Sequence, residues 1–134
     1  MTALTPLEKY ADLAAAIGVT DLHFKREDLH HYGSHKGRSI PVMIDNYVKN
    51  RDRHFAISSS GNAGLAAALY VKELNAKKQN DFTELEVYVG LNAASHKIEK
   101  LKELADEHVR VMIKERPIQA LTQAINEGLR SLRQ

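Results

Sequence analysis

The sequence predicts a three-layer α/β fold on a mostly parallel sheet, in a single domain. Three observations carry this expectation. Short apolar runs with β-branched residues, at 55–58, 85–91 and 109–113, alternate with stretches of helical periodicity. The connections between these runs are long enough for the crossover helices that parallel strands require. At 134 residues the chain suits one domain with a substantial core.

Taken in order, Thr5-Pro6-Leu7-Glu8 reads as a capping box with Pro at the first helical position. The other reading keeps residues 5–9 extended and starts the helix near Tyr10. In both, an Ala-rich helix follows and Gly18 caps its C-terminus. Leu22 and Phe24 alternate with polar neighbours, which predicts a short strand. Ile40, Met43, Ile44, Tyr47 and Val48 recur at helical spacing, so a helix starts near Lys36. Pro41 is placed in its first turn, where a missing N–H costs least. The strand at 55–58 leads into a Ser/Gly/Asn turn and an Ala-rich helix over 62–75. Polar residues over 77–83 form a loop. A helix with Ile98, Leu101 and Ala105 on one face follows the strand at 85–91. Pro117 opens a last helix whose face is Ile118, Leu121, Ile125 and Leu129. Residues 1–30 form a leading segment, and 31–134 carry the lysine helix and the β-α units.

Nineteen Lys and Arg face seventeen Asp and Glu, and no basic block stands out. Aromatic residues are few and Trp is absent, so nothing argues for a nucleic-acid partner. The absence of Cys excludes disulfides, thiol nucleophiles and zinc–thiolate sites. Met1 is followed by Thr2-Ala3-Leu4-Thr5-Pro6, not by a basic region and an apolar core. No stretch is long and apolar enough to span a bilayer. A cytoplasmic protein with no membrane partner is expected. His30, His31 and His35 cluster, and imidazole is a common ligand. No carboxylate stands at clear ligand spacing beside them, so no metal site is expected. The charges of Lys97, Glu99, Lys100, Lys102 and Glu103 read as a solvated helix face.

Two stretches carry chemistry. Gly33-Ser34-His35-Lys36-Gly37-Arg38 puts a lysine at a helix start. A helix N-terminus disfavours positive charge and so favours the neutral, nucleophilic amine. Gly33 and Gly37 leave room for a flat ring to approach. Taken by itself, this hexapeptide fits a solvated surface lysine better than a reactive one. Ser58-Ser59-Ser60-Gly61-Asn62-Ala63-Gly64 lies between a strand and a helix, where free N–H groups and hydroxyls can hold a small anion. A plain helix cap is the competing reading. Its place at the carboxyl end of a parallel strand, where such sheets bind ligands, favours a ligand.

Lys25-Arg26-Glu27-Asp28-Leu29, the Lys36 hexapeptide and Ser59-Ser60-Gly61-Asn62-Ala63-Gly64 occur in the order and at the spacing of a known family. The chain resembles the N-terminal part of fold-type II, tryptophan-synthase-β-like, pyridoxal-phosphate enzymes. Threonine synthases, serine/threonine dehydratases and cysteine synthases are members, and Thr5-Pro6-Leu7 matches their usual opening. The resemblance implies that Lys36 holds pyridoxal phosphate as a Schiff base. It implies that Asn62 hydrogen-bonds the cofactor's phenolic oxygen. Ser59, Ser60, Gly61, Asn62 and Ala63 would grip the α-carboxylate of a small amino-acid substrate. Ser60 would also act as an acid/base on the second face. The implied chemistry is a lyase or transferase reaction: loss of the α-proton, then β- or γ-elimination or replacement.

The chain departs from the family pattern in two ways. His31-Tyr32 stands where Pro-Thr is usual. Gly90 and Gly128 are the only glycines after Gly64 and stand apart, so no phosphate-binding loop can be assigned. The expectation is therefore a truncated or split enzyme of amino-acid metabolism, inactive without a complementary C-terminal chain. The alternative is a non-enzymatic stand-alone domain derived from such an enzyme. A homo-oligomer is expected in either case, because residues 1–30 and the sheet edges lack cover.

Overall fold

Residues 5–9 are extended, not helical. In the computed structural model, which describes residues 4–132, β1 (Leu7–Lys9) pairs antiparallel with β2 (His23–Lys25). Residues 1–3 and 133–134 of the predicted domain lie outside the described residues. The capping box does not form, because Thr5 and Glu8 have other partners. The Thr5 hydroxyl donates to Glu27, Glu8 accepts from Arg26 and Tyr10, and the Pro6 carbonyl accepts the Arg26 N–H. Between the two strands lies α1 (Ala11–Ile17), closed by Gly18 at a φ of 74°. That left-handed conformation suits glycine at a helix C-terminus. The Tyr10 and Phe24 rings meet edge to face across this unit.

After a 3-10 turn at Glu27–Leu29 comes α2 (Lys36–Lys49). Pro41 is its sixth residue, beyond the first turn in which the sequence placed it. Its missing N–H would have met the Gly37 carbonyl. An interior proline costs a helix about 3 kcal/mol. Full burial of Ile40 and Ile44 on either side of it opposes that cost.

The β-α units follow as β3 (His54–Ser58), α3 (Asn62–Ala76), β4 (Glu84–Gly90), α4 (Ser95–Glu103), β5 (Val109–Lys114) and α5 (Pro117–Asn126). A fourth strand, β6 (Arg130–Ser131), was not predicted. The parallel sheet has the order β5-β4-β3-β6. Two residues are too short for a periodic signal. What holds β6 is its parallel ladder with Phe55 and Ala56, the Leu132 N–H bond to the Ala56 carbonyl and the burial of the Leu132 side chain.

Alternation along the strands gives the sheet two packed faces. Phe55, Ile57, Leu85, Val87, Val89 and Val109 face a core shared with Ile40 and Ile44 of α2, the alanines of α3 and Leu101 of α4. Ala56 and Tyr88 face Leu121 and Ala124 of α5. This is the expected three-layer α/β arrangement. Helix faces are narrower than the periodicity suggested. Ala105 falls past the end of α4 and Leu129 past the end of α5, while Ile118 is 67% exposed. Among the described residues no helix is long and apolar enough to cross a membrane.

Candidate active site

Both chemical motifs arrive at the carboxyl end of β3. The strand ends at Ser58, and the chain turns through Ser59, Ser60 and Gly61 into α3. Ser59 closes this turn itself. Its Oγ accepts the N–H of Gly64 at 3.0 Å and of Gly61 at 3.3 Å. Gly64 is required there: a Cβ would lie 2.8 Å from the Ser59 carbonyl oxygen and 3.3 Å from Val87. Among the described residues the amides of Ser60, Asn62 and Ala63 have no protein acceptor. They are the donors left for an anion once Ser59 has capped the helix.

Lys36 is the first residue of α2, and its N–H donates to Ser34 Oγ at 3.3 Å. The next residue, Gly37, lies under the buried His30 ring and Tyr32. The lysine is half-buried and lines a cavity of about 270 Å³ with Ile57, Ser58, Ser59, Ala63, Leu121 and Leu132. The floor of this cavity therefore comes from α5 and the residue after β6. Ser60, Gly61 and Asn62 open on the other side, into a cavity of about 180 Å³ faced by His96, Lys97 and Lys100 of α4. Ser60 and Gly61 also border a wide cleft of about 770 Å³ that reaches Tyr88, Asn92 and Glu115. Burial pushes the Tyr88 hydroxyl's pKa up, and its hydrogen bond to Glu86 adds to the shift, so this group stays protonated.

The structure thus brings Lys36, Ser59 and Ala63 to one cavity and sets Ser60, Gly61 and Asn62 in the adjoining ones. The three clustered histidines go separate ways. His30 is buried and accepts the Tyr32 N–H at Nδ1, His31 pairs with Glu73, and His35 is exposed. Among the described residues no group of three His, Asp or Glu could hold a metal. Lys97 and Lys100, read from sequence as a solvated face, also line the cavity beside the serine turn. Their spacing in a charged helix gave no sign of this.

The fold is thus an α/β domain that presents a lysine and a Ser/Gly/Asn turn at the ligand end of its sheet. The chain belongs to the family of pyridoxal-phosphate dependent enzymes, matched over residues 2–131. Comparison with curated proteins finds no match. Among solved structures, holo diaminopropionate ammonia lyase from Escherichia coli superposes with a TM-score of 0.80 at 16% identity, covering 98% of this chain and 37% of that one. Maize serine racemase gives 0.77 at 20% identity, covering 98% and 39%. Threonine deaminase isoform 2 from Solanum lycopersicum gives 0.74 at 24% identity, covering 98% and 35%. The chain spans well under half the length of each structure it matches. Pyridoxal phosphate is the cofactor of the family. The Lys36 cavity fits its aldehyde and ring, since it offers a primary amine, serine hydroxyls and apolar walls. No adjacent-glycine turn for the phosphate occurs among the described residues.

Proposed function

We propose that this chain is the lysine-bearing part of a pyridoxal-phosphate enzyme that acts on a small amino acid by elimination or replacement. The observation that carries the reading is the shared cavity of Lys36, Ser59 and Ala63 at the carboxyl end of β3, in a member of this family. In this reading Lys36 is the point of covalent attachment, and its amine takes and returns the substrate's α-proton on one face. Ser60, exposed at the rim of the turn, serves as acid/base on the other. The free amides of Asn62 and Ala63 hold the substrate carboxylate, while the Asn62 side chain, which lines the adjoining cavity beside α4, is assigned to the cofactor's phenolic oxygen on the family resemblance alone. When bound, the cofactor supplies an electron sink for the negative charge left at the α-carbon.

The rest of the site comes from a C-terminal half, either the continuation of this polypeptide or a second chain. Apolar side chains of the leading segment support such a partner or a homo-oligomer: Leu4 is 93% exposed, Leu7 66% and Leu29 54%. Residues 4–30 are the surface we assign to this contact. Titration with pyridoxal phosphate tests the lysine assignment. The chain is expected to shift the cofactor's visible absorption band with weak affinity, and Lys36→Ala to shift it much less. Tight binding that survives Lys36→Ala would overturn it.

A further inference from the structure

The Lys25–Leu29 motif has no part in the chemistry above, yet the structure ties it to the lysine helix. Glu27 accepts two hydrogen bonds from Arg38, Nε at 2.7 Å and Nη2 at 2.8 Å, the fork geometry of a bidentate pair. Thr5, only 6% exposed, donates to Glu27 at 2.6 Å and accepts from Arg38 Nη2 at 3.0 Å. Lys25 in turn donates to the Thr5 carbonyl. Three distant stretches, at residues 5, 27 and 38, therefore close on the first turn of α2.

Helix geometry gives this clasp its meaning. Successive residues rotate by about 100°, so residues 36 and 38 lie about 200° apart. Arg38 is gripped on the side of the turn away from Lys36. Gly37, between them, is packed under His30 and Tyr32, and Ser34 caps the Lys36 N–H. The first turn of α2 is held at three successive positions and cannot rotate about its axis without breaking one of these contacts. From this we infer that Thr5, Glu27 and Arg38 are positioning residues, which aim the Lys36 amine into its cavity. The inference rests on the proposed role of Lys36. The Arg38 guanidinium also holds the Glu27 carboxyl at about 2, well below the usual carboxylate range, so the pair stays charged across the working pH range.

The test is site-resolved labelling. The full chain is treated with pyridoxal phosphate, reduced with borohydride at timed intervals, and each lysine's label is read by peptide mass spectrometry. In the wild type Lys36 is expected to label faster than the surface lysines. Thr5→Val keeps the volume and removes both hydroxyl hydrogen bonds. It and Glu27→Gln are expected to slow labelling of Lys36 by about tenfold, with the other lysines unchanged. Thr5→Ser is expected to restore the wild-type rate. A role in stability alone would lower the melting temperature and leave the relative rate at Lys36 untouched in the folded protein. That result in Thr5→Val, measured below its melting temperature, would overturn the inference even where Glu27→Gln does not fold. A wild type that labels Lys36 no faster than its other lysines is a different result and overturns the proposed function itself.

Discussion

Gly37→Ala is the substitution whose cost the structure fixes most closely. A Cβ at residue 37 would lie 2.4 Å from His30 Nδ1, 2.5 Å from its Cε1 and 2.9 Å from Tyr32 Cβ. His30 cannot swing away freely. It is buried, and its Nδ1 accepts the Tyr32 N–H at 3.1 Å. Overpacking of this kind costs about 1–3 kcal/mol, and loss of the Tyr32 hydrogen bond adds about 1 kcal/mol. Alanine's better helix propensity returns at most about 1 kcal/mol. The net loss is therefore about 1–3 kcal/mol, or roughly 4–12 °C in melting temperature for a domain of this size. Urea and thermal unfolding followed by circular dichroism measure it. Gly90→Ala, at the end of β4, is the control, because a Cβ there meets only Pro117 Cγ at an ordinary 3.7 Å, and its stability is expected to stay within about 0.5 kcal/mol of wild type. A Gly37→Ala chain as stable as the control would refute the reasoning that packing against His30 fixes the start of α2.

Other expectations follow from the same contacts. Because the folded-state pKa of Glu27 is lowered from 4.5 to about 2, chiefly by Arg38, its stabilisation is full above pH 4.5 and is lost as pH falls towards 2. Wild type should accordingly lose more stability than Glu27→Gln between pH 5 and pH 2 in parallel urea titrations, and equal slopes would contradict this. Leu132→Ala removes the fully packed side chain that anchors β6 and is expected to cost about 2–5 kcal/mol, read as a lowered urea midpoint. Crystals grown in sulfate should show the anion on the Ser60, Asn62 and Ala63 amides, and a well-resolved empty turn would count against the cradle. Light scattering across a wide concentration range should show self-association that Leu7→Asp weakens, since that residue is exposed on the leading segment.

Periodicity over the β-α units was enough to place α3, β4 and β5 within a residue or two and to put helices at α4 and α5, whose ends it overran, because burial on both faces of the sheet leaves a strong apolar pattern. Elements fixed by tertiary contacts were less legible. Thr5-Pro6-Leu7-Glu8 carries a sound local helix signal, and pairing with β2 overrides it. Pro41 looked like a first-turn proline, but the helix begins at Lys36, and Ile40 and Ile44 anchor it through the proline. Strand β6 has no local signal and exists through its short ladder with β3 and the burial of Leu132. At the site, the motifs located Lys36 and the serine turn at the ligand end of the sheet. They did not reveal that Ser59 caps α3 with its own hydroxyl. Nor did they reveal that Glu27 and Arg38, both inside quoted motifs, are partners across 11 residues.

The central claim is that Lys36 carries the cofactor in the cavity beside Ser59 and Ala63. Its most direct test is a crystal structure of the chain reacted with pyridoxal phosphate and reduced with borohydride. The account predicts continuous density from Lys36 Nζ to the pyridoxyl ring, with the ring against Ile57, Leu121 and Leu132. Density on other lysines alone, with the Lys36 cavity unchanged, would contradict it.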